Sequence, residues 1–137
     1  MISLMNLERI ETLQTILIDT DVAIDFLKGR KYASELIEPY ILANTAYLSI
    51  LSVYELYAGM RDEEAEKTGD FIFGLMIEPV NRETAVRAGA FYRQYRKQGI
   101  TLTAIDCLIG ACASIQGHKI ATRNKSHYPD TSLILDF

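Results

Sequence analysis

Three acids in this chain stand where a carboxylate can do chemistry. Asp19 closes the apolar run Ile16-Leu17-Ile18, Glu55 follows Ser52 by three residues, and Asp106 follows Thr103 by three. A short run of branched apolar residues reads as a buried strand. In a parallel α/β sheet the carboxyl end of such a strand opens on the ligand crevice, which is where Asp19 falls. Glu55 and Asp106 each fit the pattern Ser/Thr-x-x-acid at a helix start, so a capping role is open to them, and a helix cap is equally open to Asp19. Asp106 fits that bland role least well. Its helix is apolar nearly all round (Ile105, Leu108, Ile109, Ala111, Cys112, Ala113, Ile115), and an unpaired carboxylate is costly to desolvate there. A buried acid has a partner, a shifted pKa or a metal.

The elements that must position these acids alternate. Strand Ile16–Asp19 leads into a helix to Lys28, stopped by Gly29, and a second helical segment covers 31–43 with Pro39 kinking or dividing it. Ala46–Ile50 is strand two, Ser52–Gly59 a helix, and 62–75 a helical segment acidic at its start. Ile77–Val80 is strand three, Arg82–Gln98 a long helix, Cys107–Gln116 a central helix, Lys119–Thr122 strand four, and Ser132–Leu135 an edge strand. Strands alternating with helices imply an α/β fold: one mostly parallel, four- to five-stranded sheet flanked by helices over 15–137, with 1–14 as an N-terminal extension. In such a sheet Asp19, Glu55 and Asp106 all lie toward the carboxyl-end rim. Three carboxylates in one cleft repel unless a divalent cation neutralises them, and all-oxygen ligands mean Mg²⁺ (or Mn²⁺). His118 and His127 lack zinc spacing to Cys107 and Cys112.

Bulk composition narrows the class. The chain has 137 residues, 49% of them hydrophobic, and a net charge of −4, enough for one domain with a real core. An acidic protein does not hold nucleic acid by a general positive field, although a nuclease bridged to phosphate by metal ions is compatible with it. The basic exception is 81–99, where Arg82, Arg87, Arg93, Arg96 and Lys97 face only Glu83; this is either a solvated helix face or an RNA-backbone contact. The two cysteines lie five apart in a helix and do not bridge easily, which points to reduced thiols. No signal peptide and no membrane span is read, so a soluble, cytoplasmic protein is expected. Tyr32, Leu36, Tyr40, Tyr54 and Tyr57 offer a surface for a partner helix or for a homodimer, with core packing an equal option for several.

Ile16-Leu17-Ile18-Asp19-Thr20, Ser52-Val53-Tyr54-Glu55-Leu56-Tyr57-Ala58-Gly59, the stretch Leu102–Ala113 around Asp106, and Ala121-Thr122-Arg123-Asn124 together resemble the PIN-domain family. The resemblance is closest to the VapC-like ribonuclease toxins of type II toxin–antitoxin systems and covers about 15–137. It implies a small parallel-sheet nuclease, Mg²⁺- or Mn²⁺-dependent cleavage of single-stranded RNA regions, and a cognate antitoxin. Asp19, Glu55 and Asp106 match the family's three acids. Asn124 stands at the fourth, often acidic, place, and Asp130 substitutes only if the 125–130 loop folds back. On this reading Asp19, Asp106 and Glu55 hold the metal, Thr122 and Asn124 orient water or phosphate, and Arg123, Arg93, Arg96 and Lys97 meet the RNA backbone. Two alternatives remain. Asp19-Thr20-Asp21-Val22 also fits the opening of haloacid-dehalogenase-type phosphatases, where the first Asp is a nucleophile and a later lysine is required. A catalytically degenerate module of the same fold is the other.

Overall fold

The computed structural model describes residues 14–137; the lead-in expected over the first fourteen residues lies, apart from Gln14, outside them. Four parallel strands, β1 (Ile16–Ile18), β2 (Ala46–Ser49), β3 (Met76–Glu78) and β4 (Lys119–Ala121), form one sheet in the order β3-β2-β1-β4. β1 is central, and Ile16, Leu17 and Ile18 are wholly buried. A strand covered on both faces must be apolar at every position, not at alternate ones, which is why this run was legible.

Helices cover both faces. On one side α1 (Thr20–Leu27), α2 (Lys31–Leu42), α3 (Ile50–Gly59) and α4 (Ala65–Phe73) contribute Val22, Ala23, Ala33, Ile37, Leu56 and Phe71 to a core with Ile16, Ile18 and Leu48. On the other, α6 (Ala104–Gln116) sets Ile109, Cys112 and Ala113 against Leu17 and Ile120. Each such fully buried aliphatic side chain is worth about 1.5–3 kcal/mol. α5 (Arg82–Lys97) packs outside α6 through Ala88, Phe91 and Tyr92. The chain runs from β1 outward to β2 and β3, then returns to place β4 on β1's other side. The connections therefore reverse direction between β1 and β4, and a crevice opens at their carboxyl ends.

Three expectations change and one open choice is resolved. Thr131–Leu133 is a single 3-10 turn and Ile134 makes one isolated bridge to Ile120, so among the described residues the sheet has four strands and no fifth. Asp130 starts that turn by accepting from the Ser132 amide and hydroxyl, and an Asx turn competes with extension. β3 ends at Glu78, before Pro79, which has no N–H to give a ladder. Pro39 sits inside one continuous α2, on its exposed side, where a carbonyl left without a helical donor is open to solvent at less cost than in the core. Finally, Tyr32, Leu36 and Tyr40 pack against the core, which leaves Tyr54 and Tyr57, 67% and 44% exposed, as the outward aromatics.

The connection from α2 to β2 turns on Asn44, a non-glycine residue with φ 58°. Its N–H donates to the Ile41 carbonyl and that of Thr45 to the Tyr40 carbonyl, the Schellman arrangement that glycine serves best. Asn44→Gly is therefore expected to stabilise the fold by about 0.5 kcal/mol and Asn44→Val to destabilise it by about 1 kcal/mol or more, read by urea denaturation.

Both cysteines are free and buried, and burial pushes the Cys112 thiol up to about 12. Among the described residues no helix is long and apolar enough to cross a membrane.

Candidate active site

Asp19 is the N-cap of α1, and the cap and the site are the same residue. Its Oδ1 accepts the Thr20 amide N–H at 2.9 Å. Its Oδ2 accepts two hydroxyls, Thr122 Oγ1 at 2.9 Å and Tyr128 at 3.0 Å. The residue is only 7% exposed. Burial raises its carboxyl above the usual range and the charge of Asp21 raises it further, against the pull of these hydrogen bonds. Tyr128 is buried among Leu17, Ile109 and Ile134. Burial, and then the charge of Asp19, holds its phenol well above its ordinary value, so it stays protonated and donates.

Thr20 carries the connection to the second acid. Its hydroxyl donates to Glu55 Oε1 at 2.7 Å and lies 3.0 Å from Ser52 Oγ. Glu55 itself is no cap. α3 begins at Ile50 with Ser49 as N-cap, whose Oγ accepts the Leu51 amide, so Glu55 lies beyond the first turn and the Ser52 capping reading fails. Asp106 differs again. Thr103 does cap α6 by accepting the Asp106 amide at 3.1 Å, while the carboxylate turns to His127, with Oδ2 3.3 Å from Nδ1.

These side chains line one cleft of about 290 Å³, with Asp19, Asp21, Glu55, Thr103, Ile105, Asp106, Asn124 and His127 in its walls. Among the described residues four carboxylates face it, and no Lys or Arg is in the lining. Among the described residues no three His, Cys, Asp or Glu groups gather into a ready coordination sphere. The expected convergence thus holds for the cleft and not for a closed ligand shell. Like charges repel, and each carboxylate is drawn to its own donor. The donor set is nonetheless hard oxygen throughout, apart from one imidazole, and it suits a hard divalent cation.

The remaining expected residues separate. Asn124 lines the cleft. Asp130 does not, being held by Ser132 and set beside Phe91 and Tyr95 in a neighbouring recess, so of the two only Asn124 borders the cleft. Thr122 is fully buried, donates to Asp19 and accepts the Asn124 amide, so it meets the cleft through those two residues and not directly. The Arg123 guanidinium is drawn away to Asp25 at 3.2 Å and lies 5.2 Å from the Tyr32 ring centre. Its amide donates to Asp21 Oδ2 at 2.8 Å. Arg93, Arg96 and Lys97 are exposed on α5 and line no part of the cleft. Arg93 is two residues from both Phe91 and Tyr95, about 200° around the helix from the side chains that border the recess next to the cleft. Sequence reading missed Tyr128 and His127. The signal was a lone aromatic before Pro129 in a polar loop, a residue with no reason to be there unless anchored.

Residues 16–135 match the family model described as PIN domain. The chain belongs to the PIN-domain family. The PIN domain here is 32% identical over 114 residues to Ribonuclease VapC10 of Mycobacterium tuberculosis, covering 83% of this chain and 86% of that one. It is 28% identical over 114 residues to Ribonuclease VapC1 of Methanocaldococcus jannaschii, covering 82% and 78%. The same PIN fold is present in the toxin-antitoxin complex from Klebsiella pneumoniae, with TM-score 0.77, 21% identity, and coverage of 89% of this chain and 97% of that one. FitAcB from Neisseria gonorrhoeae shares it with TM-score 0.75, 22% identity, and coverage of 88% and 95%. The phosphatase alternative needs a lysine in this PIN cleft, and among the described residues the lining contains none.

Proposed function

We propose that this protein is a metal-dependent endoribonuclease of the VapC type, acting on single-stranded regions of RNA and held in check by a cognate antitoxin. The observation that carries the reading is the cleft: Asp19, Glu55 and Asp106, from three separate elements, open on one space beside the carboxyl ends of β1 and β4. Membership of the PIN-domain family and the 32% identity to a VapC ribonuclease support it.

Asp19, Glu55 and Asp106 would hold Mg²⁺ or Mn²⁺, with Asn124 contributing at the rim. Such an ion, when bound, lowers the pKa of a water and stabilises charge on a scissile phosphodiester. The residues supply the rest. Thr20 orients two acids at once, Asp19 through its amide and Glu55 through its hydroxyl. Thr122 and Tyr128 fix Asp19 from the buried side. Asn124, whose amide N–H is tied to Thr122, presents its side chain to a phosphate oxygen, and His127 offers a ring N–H beside Asp106. Four carboxylates make the bare cleft repel RNA, so cation and substrate binding are coupled. Arg93, Arg96 and Lys97 touch only RNA that runs on past the cleft. The exposed Ile50, Tyr54 and Tyr57 of α3 are a seat for an antitoxin or a second copy.

The test is cleavage of a single-stranded RNA with Mg²⁺ or Mn²⁺, with EDTA, and with Asp106→Asn. Cleavage should need the metal and fall at least about 100-fold in the variant. Equal cleavage in EDTA, or p-nitrophenyl phosphate hydrolysis without RNA cleavage, would reject the assignment.

A further inference from the structure

A carboxylate has about four lone-pair directions, two on each oxygen. At Asp19 three are already used. Oδ2 accepts Thr122 at 2.9 Å and Tyr128 at 3.0 Å, and Oδ1 accepts the Thr20 amide at 2.9 Å. One direction is left, on Oδ1. A carboxylate that ligates two cations needs two free lone pairs, both on one oxygen or one on each, and among the described residues' contacts Asp19 keeps only one while both hydroxyls are in place.

Tyr128 is the unexpected member of this set. Its ring is buried with Leu17, Ile109 and Ile134 and lies near α6, where a Cβ at Gly110 would be 3.8 Å from Tyr128 Cδ1. Phenylalanine would fill that space equally well. The hydroxyl adds nothing to apolar packing, and a buried hydroxyl without a partner is costly. Its partner is Asp19.

We propose that Tyr128 is a positioning residue which, with Thr122, confines Asp19 to a single oxygen and thereby makes the metal centre mononuclear at Asp19. The proposal rests on the metal-dependent reading above and adds to it the number of ions and the residue that sets it. Outer hydrogen-bond partners of metal ligands typically change affinity by about 10–100-fold when removed. Tyr128→Phe deletes only the oxygen.

The experiment is Mn²⁺ titration of the whole protein followed by electron paramagnetic resonance, which reads dissociation constant, stoichiometry and coupling between ions. The parent should bind one uncoupled Mn²⁺ that Asp19→Asn loses. Tyr128→Phe should bind it about 10-fold more weakly, with a melting temperature within about 5 °C of the parent. Thr122→Val is the second variant, decisive by itself if Tyr128→Phe does not fold, and Thr122→Ser should restore parental affinity. A spin-coupled Mn²⁺ pair in the parent overturns the proposal. So does an unchanged dissociation constant in Tyr128→Phe and Thr122→Val. Either result leaves the metal-dependent reading standing. A parent that binds no Mn²⁺, or binds it equally after Asp19→Asn, overturns that reading and this proposal together.

Discussion

Asp19→Asn is expected to lower RNA cleavage on the order of 1,000-fold or more while leaving the protein folded and, at neutral pH, no less stable than the parent to within about 1 kcal/mol. The loss follows from removing one charged ligand of a cation worth several kcal/mol to the transition state, at about 1.4 kcal/mol for each factor of ten. The retained stability follows from burial. Asp19 is enclosed by neutral donors, and its carboxyl is raised above 3.8 by desolvation first and by Asp21 second. A carboxyl with a raised folded pKa binds its proton more tightly in the native state than in the unfolded one. Stability is therefore lost as pH climbs from about 3.8 through the raised value, and asparagine has no such loss. The asparagine amide can keep the Thr20 cap, with the Thr122 and Tyr128 hydroxyls rotating to accept. Urea denaturation at pH 4 and pH 7 should thus move in the variant's favour at the higher pH. Thermal collapse of Asp19→Asn at pH 7 would show that Asp19 is chiefly structural.

The second large effect is on stability alone. His118→Ala should cost about 3 kcal/mol, roughly 10 °C in melting temperature, with cleavage per folded molecule within twofold of the parent. His118 is buried, with Nε2 2.8 Å from Glu78 Oε1, Nδ1 2.7 Å from Thr15 Oγ1, and its ring 4.4 Å from that of Tyr47. Removing it strands a Glu78 side chain that is only 12% exposed. The residue precedes β4, at the end of that strand away from Thr122 and the cleft. Glu78, half-buried, has an imidazole partner and Asp19, buried, has only hydroxyls and an amide, so the first acid belongs to the fold and the second to the chemistry. A loss of activity in His118→Ala beyond its unfolded fraction would break that distinction.

The exposed apolar side chains on α3 carry a related lesson. Tyr54 and Tyr57 share helical spacing with residues that are buried, and spacing alone did not say which side of the helix met the sheet. Tyr32 looked equally available, yet its hydroxyl donates to Asp25 and its ring underlies Arg123. That pairing ties the Arg123 guanidinium to Asp25, beside a recess that shares Asp21 and Asn124 with the cleft.

Local chemistry determined a good deal by itself. The run Ile16-Leu17-Ile18, apolar at every position, requires cover on both faces. Asp19 at its end, Thr103 as a cap and the glycine stops define element ends, because each depends on groups within a few residues. The family motifs, read in order, placed the three acids and the class of reaction. Tertiary structure decided what depends on residues far apart in the chain. It brought Thr122 and Tyr128, more than a hundred positions away, onto one oxygen of Asp19. It turned Arg93 away from the cleft and set Asn124, not Asp130, beside it. It replaced the fifth strand by a turn, since Asp130 had a nearer partner in Ser132. Hydrogen bonds and caps act over ångströms and can be read from neighbours. Which oxygen a distant hydroxyl reaches depends on how the sheet stacks its strands, and that exists only once the chain has folded.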